Sequence, residues 1–82
     1  MTPVERRLVI LASGLRAGQH HGLRAVDWAT VAAHSGGVLT PGHVFRTFKT
    51  LKSLRIAVGN AAEPGSTMRA EAVLMELSLI HI

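Results

Sequence analysis

Trp28-Ala-Thr-Val-Ala-Ala-His-Ser-Gly-Gly-Val-Leu-Thr-Pro-Gly-His-Val-Phe-Arg-Thr47 is the stretch on which the reading of this chain turns. It holds two helix starts separated by a glycine pair. Asp27 precedes the first, where a carboxylate can accept from the free amides of an opening helical turn. Val26 ahead of that cap and Val31 beyond it have the spacing of a hydrophobic staple. Trp28, Val31 and Ala32 supply an apolar face, and Gly36-Gly37 ends the helix. Thr40 caps the second start, Pro41 takes its first position, and Leu39 can staple to Val44. Val44, Phe48 and Leu51, with Phe45 and Leu54, continue at helical period, so a helix is expected over 41–54.

The other side of that helix is polar. His43, Arg46, Thr47 and Thr50 fall at i, i+3, i+4 and i+7 and share one stripe. Lys49 and Lys52 flank it, and Arg55 follows. Between Asp27 and Glu63 there is no carboxylate, and every charged side chain in the gap is Arg46, Lys49, Lys52 or Arg55. Charge of one sign over a whole segment fits a polyanionic partner; the plain alternative is a solvated basic face that binds nothing. The net charge of +4 says less than this placement.

Outward from the centre, Thr2 and Glu5 have capping-box spacing with Pro3 between them. Val4, Leu8, Leu11, Ala12 and Leu15 then recur on one face of a first helix, which Gly18 is expected to end. Gly14 weakens its interior. Gln19 to Arg24 reads as a loop, with His20-His21 as polar loop residues. Ile56 to Val58 reads as a strand, and Asn60 to Thr67 as a loop around Glu63-Pro64-Gly65-Ser66. From Met68 the composition favours helix. At about 100° per residue, however, Arg69 and Glu71 would stand on opposite sides of a helix. A strand turns both outward and puts Met68, Ala70, Ala72 and Leu74 inward. The alternation predicts a return strand, closing a small antiparallel hairpin.

Two capped helices across a short glycine-containing turn resemble the helix-turn-helix family. Leu51-Lys-Ser-Leu-Arg-Ile56 resembles the junction of recognition helix and first wing strand in winged helix proteins. The resemblance covers residues 3 to 76. It departs from the family in a turn one residue longer than the commonest spacing and in Arg55, where glycine often ends the recognition helix. It implies a mainly α fold with a small β-hairpin, a three-helix winged helix-turn-helix. It also implies double-stranded DNA as partner, with the third helix in the major groove. His43, Arg46, Thr47 and Thr50 would then face base edges, Arg46 gripping guanine at two points. Lys49, Lys52 and Arg55 would reach phosphates, Thr40 and the helix amides could hold another, and Arg69 would add a wing contact. The role implied is transcriptional regulation in a bacterium or phage, with a homodimer as a further expectation. The other readings are a winged helix used for protein assembly, which would expose an apolar patch from Val9 and Ile10, and the DNA-binding end of a replication initiator.

Other classes find little footing. Eighty-two residues make one small domain, and 48% apolar with 17% charged residues is globular composition. There is no cysteine, which excludes disulfides and thiolate chemistry and fits the cytoplasm. No apolar run is long enough to span a bilayer. The first helix carries Arg6, Arg7 and Arg16 but lacks the aromatics of an interfacial helix. His20, His21, His34 and His43 show no tight metal-ligand spacing, so no metal is expected. The carboxylates are scattered, Ser13, Ser35 and Ser53 lack a nucleophile frame, and no P-loop lysine follows Gly36-Gly37. No enzyme activity, cofactor or small-molecule ligand is therefore expected. Leu77-Ser-Leu-Ile-His-Ile82 resembles the in-frame translation of a transposase end sequence used in DNA library preparation. It is read as a non-native tail on a domain of residues 1–76, a fragment whose own frame is expected to run on past Glu76.

Overall fold

Thr2 and Glu5 close their capping box: the Thr2 hydroxyl accepts from the Glu5 amide, and the Glu5 carboxylate accepts from the Thr2 amide, both at 3.2 Å. The helix they start, α1 (Pro3–His21), does not stop at Gly18. It ends at Gly22, whose φ of +88° is open to glycine at little cost, with the Gly22 amide donating to the Gly18 carbonyl. The structure is a computed structural model that describes residues 1–80, with backbone alone for 79 and 80.

The buried stripe of α1 differs from the expected one. Val4 and Leu8 are 70% and 61% exposed, whereas Ile10, Ser13, Gly14, Ala17 and Gly18 are buried. The large apolar residues marked a plausible face; the small ones mark the real one, because they let neighbouring helices approach. A Cβ on Gly14 would lie 2.5 Å from Val58 Cγ2, and one on Gly18 would lie 2.5 Å from Met68 Sδ. Ser13 Oγ is buried with no partner among the described residues.

After a single 3-10 turn at Leu23–Ala25 comes α2 (Trp28–Ala33). Asp27 caps it as expected, accepting from the Thr30 amide at 2.8 Å while the Thr30 hydroxyl accepts from the Asp27 amide at 2.9 Å. Gly36 and Gly37 carry φ of +67° and +83° in the turn that follows. Ser35 fixes that turn: its hydroxyl donates to the Ala32 carbonyl at 2.6 Å and accepts from the Leu39 amide at 3.0 Å.

The expected helix over 41–54 is two helices. The first, α3 (Pro41–Phe48), stops at Lys49, whose φ of +67° and ψ of −39° leave helical space. The Thr50 amide turns back to the Phe48 carbonyl at 2.7 Å, a γ-turn of the strained, positive-φ kind. Thr50 then caps α4 (Leu51–Ala61), accepting from the Ser53 amide at 3.1 Å.

No strand exists among the described residues. Ile56–Val58, expected as a strand, lies inside α4, and 68–76, expected as its partner, lies inside α5 (Thr67–Ile80). Ser66 accepts from the Arg69 amide at 3.2 Å to start α5. Met68, Ala72 and Met75 pack on the core at helical period, while Ala70 is exposed and Leu74 is 65% exposed, so the two-residue alternation was coincidental. Without a partner strand an isolated strand cannot satisfy its backbone, whereas a helix satisfies its own. The winged helix-turn-helix fold, and with it the family resemblance, is therefore overturned: the chain is an all-helical bundle.

α1 packs on α2 and α4, α3 packs mainly on α2, and α4 pairs with α5 across the 62–66 connection. Ile10, Leu23, Val26, Val31, Val44, Leu54 and Val58 are fully buried where these helices meet. No helix is long and apolar enough to cross a membrane among the described residues. α5 carries the chain through residues 77–80 of the expected tail; His81 lies outside the described residues.

Candidate nucleic-acid interface

Val44 and Phe48 are the anchors of α3; both are buried, and they fix which side of the helix meets solvent. Opposite them stand Gly42, Phe45 and Arg46, all exposed, and Lys49 is exposed just past the end of the helix. Gly42, Phe45 and Arg46 are at i, i+3 and i+4, one residue out of register with the stripe expected from the sequence. Of the expected set, Arg46 remains at the centre. His43 and Thr47 are half-buried at its edge, and Thr50 has moved off the helix to cap α4.

The polar atoms at the start of α3 are largely committed. Thr40 Oγ1 accepts from the His43 amide at 3.3 Å. His43 Nδ1 accepts from the Thr40 amide at 3.1 Å, so its ring closes the cap and the proton sits on Nε2. The Thr47 hydroxyl donates to the His43 carbonyl at 3.0 Å. His43 and Thr47 therefore act first on the shape of α3, and only His43 Nε2 remains available to a partner.

Phe45 was expected against the core, yet it is 50% exposed and meets Trp28 edge-to-face at 5.4 Å. Its position three residues after Gly42 and four before Lys49 is the signal that would have placed it outside. Arg7, on α1, comes to α3 through the fold: its guanidinium lies 4.8 Å from the centre of the Phe48 ring. Arg7, Thr47, Phe48, Asn60 and Glu76 are among the residues that line an open hollow of about 530 Å³.

The remaining predicted cations separate by what holds them. Arg55 Nε donates to the Val26 carbonyl at 2.8 Å, tying α4 to the segment before α2. Arg69 Nη1 donates to the Ala62 carbonyl at 2.9 Å, holding the end of α4. Neither sits on the α3 stripe, and Arg69 has no wing to sit on. Lys52 is exposed on the first turn of α4, beyond the break at Lys49. Arg46 on α3 and Lys49 just past its end are thus the exposed cations nearest that face.

No family model, curated protein or solved structure matches the chain.

A second cluster escaped the sequence reading. His20 and His21 end α1, His34 caps the end of α2, and the three rings gather with centroids 5.5 to 6.0 Å apart. Adjacent histidines on a helix diverge, which argued against a shared site; the packing of α2 onto the end of α1 supplies the third ring between them. Arg16 Nη2 donates to the His34 carbonyl at 3.2 Å and holds that junction.

Proposed function

We propose that this domain binds duplex DNA with α3 laid in the major groove. One observation carries the reading: the exposed side of α3 is Gly42, Phe45 and Arg46, with Lys49 just past its end, inside the stretch between Asp27 and Glu63 that holds no carboxylate. Gly42 has no side chain to hold the helix off the duplex. Arg46 is long enough to reach a base edge and can grip guanine through two donors, worth about 1–3 kcal/mol of discrimination. Lys49, at the end of the helix, is placed for a phosphate, with Lys52 beyond it. The cationic groups are held by a short helix anchored on α2 rather than by a long recognition helix, so the contacts are few. The role that follows is a regulator of transcription.

Protein assembly is the second reading, and it has its own observation. The patch expected from Val9 and Ile10 does not form, since Ile10 is fully buried and Val9 half-buried. Val73 and Leu74 on α5 are instead 45% and 65% exposed, an apolar surface suited to a second chain.

The test is binding of the chain to random-sequence duplex DNA across a salt series, with Arg46→Ala and Arg55→Ala beside the parent. DNA binding through α3 requires affinity that falls steeply with salt and falls again in Arg46→Ala. Arg55→Ala should lower stability through the lost Val26 contact while leaving the salt slope unchanged. A folded chain that ignores DNA at low salt refutes the proposal and leaves assembly through α5.

A further inference from the structure

We infer that His20, His21 and His34 form a site for a divalent transition-metal ion of the zinc class. The inference stands apart from DNA binding and uses residues on the other side of the turn from α3.

The distances carry it. The ring centroids of His20 and His34 are 5.5 Å apart, those of His21 and His34 are 5.8 Å apart, and those of His20 and His21 are 6.0 Å apart. With Zn–N bonds of about 2.0–2.1 Å and tetrahedral angles, two imidazoles on one ion have centroids about 5 Å apart. The triangle is thus slightly expanded from the one an ion would impose. Three neutral imidazoles are a nitrogen donor set that suits zinc, nickel or copper rather than magnesium or calcium. A fourth position would be left for water.

The rings are not yet aimed at a common point. As they stand, no three His, Cys, Asp or Glu side chains among the described residues are placed to hold a metal ion, and His20 lies stacked on His34 with 25° between ring planes. Closing the site asks for side-chain rotation, which is easy here because His20 and His21 are exposed and follow each other at the last turn of α1. Gly22, at φ +88°, gives that turn freedom to adjust. The backbone on the other side is fixed: His34 closes α2, and Arg16 grips its carbonyl. The Arg16 guanidinium opposes a cation, but it lies on the His34 carbonyl rather than the ring. A bound ion would join the end of α1 to the end of α2, at the entrance to the turn that leads into α3.

The experiment uses the untagged 82-residue chain. Zinc is titrated by calorimetry, and cobalt by the visible absorption of a low-symmetry, nitrogen-bound ion. The expected result is saturable binding of one ion per chain. Affinity should drop at least about tenfold in His34→Asn and in the exposed double variant His20→Gln/His21→Gln, because even changes to groups behind metal ligands cost 10–100-fold. His81→Gln, outside the described residues, should bind as the parent does. Far-ultraviolet circular dichroism confirms that each variant is folded, and the double variant carries the test if His34→Asn is not. Absence of saturable one-to-one binding overturns the site. So does binding that survives in the double variant, or that disappears in His81→Gln.

Discussion

Replacing Gly59 by alanine is the sharpest test of the helical bundle. Gly59 is buried in α4 where α5 crosses it. A Cβ there would overlap the Ala72 methyl, stand 2.7 Å from the Met68 carbonyl oxygen and 3.3 Å from Leu23 Cδ2. Carbon atoms pack best at about 3.5–4.0 Å, so α5 would have to retreat by roughly an ångström. The obstacles include backbone, which cannot rotate away as a side-chain tip can. Overpacking of this kind costs about 1–3 kcal/mol, and the helix preference of alanine over glycine returns about 0.8–1.0 kcal/mol. With backbone in the way the upper end of that cost applies, so the net loss is about 2 kcal/mol, or roughly 8 to 16 °C in Tm for a domain of this size. Thermal and urea unfolding followed by circular dichroism measure it. Gly42→Ala is the control, since a Cβ there meets only Thr40 Oγ1 at 3.7 Å and should be neutral or stabilising. If Gly59→Ala were as stable as Gly42→Ala, the close crossing of α4 and α5 would be wrong.

Three further outcomes follow from local geometry. Lys49→Gly should stabilise the domain by about 1 kcal/mol, because glycine relieves a positive-φ cost of about 1–2 kcal/mol and gives part of it back in chain entropy; the same change should weaken DNA binding, so a rise in Tm with loss of affinity is the signature to seek. Ser13→Ala should raise the urea midpoint, by about 1 kcal/mol of stability, since it removes a buried hydroxyl that has no partner among the described residues; a fall in the midpoint would mean that the hydroxyl is satisfied. The Thr2 hydroxyl and then its backbone amide hold the Glu5 carboxyl below its ordinary value. The cap therefore contributes fully above the unfolded carboxylate value and is lost as pH falls through the lower folded one, which amide exchange in the first turn of α1 should register and Glu5→Gln should abolish.

Helix starts were legible because they are local. Thr2, Asp27 and Thr40 cap as their spacing predicts, each within three residues of its partner amide. Thr50 and Ser66 are caps of the same kind that the apolar period concealed: Leu51 and Leu54 continue the pattern of Val44 and Phe48 across the break at Lys49. The chain between 68 and 76 misled for a related reason. Met68, Ala70, Ala72 and Leu74 alternate as well as a strand would, and only the identity of the neighbouring helix decides that Ala72 is buried while Leu74 is not. At the candidate site Arg46 was readable from helical spacing alone, whereas the release of Thr50 to another helix was not.

By itself the sequence determined the places where helices begin, the absence of acid around α3, and an apolar content sufficient for one core, since capping and charge act over a few residues. Tertiary structure decided which faces are buried. Gly14, Gly18 and Gly59 look like weak points in a linear reading and become the crossing points of α1, α4 and α5, because close packing rewards the residue that occupies least space. The same packing sends Arg55 and Arg69 to backbone carbonyls, leaves Arg46 and Lys49 outside, and gathers His34 with His20 and His21 into one cluster.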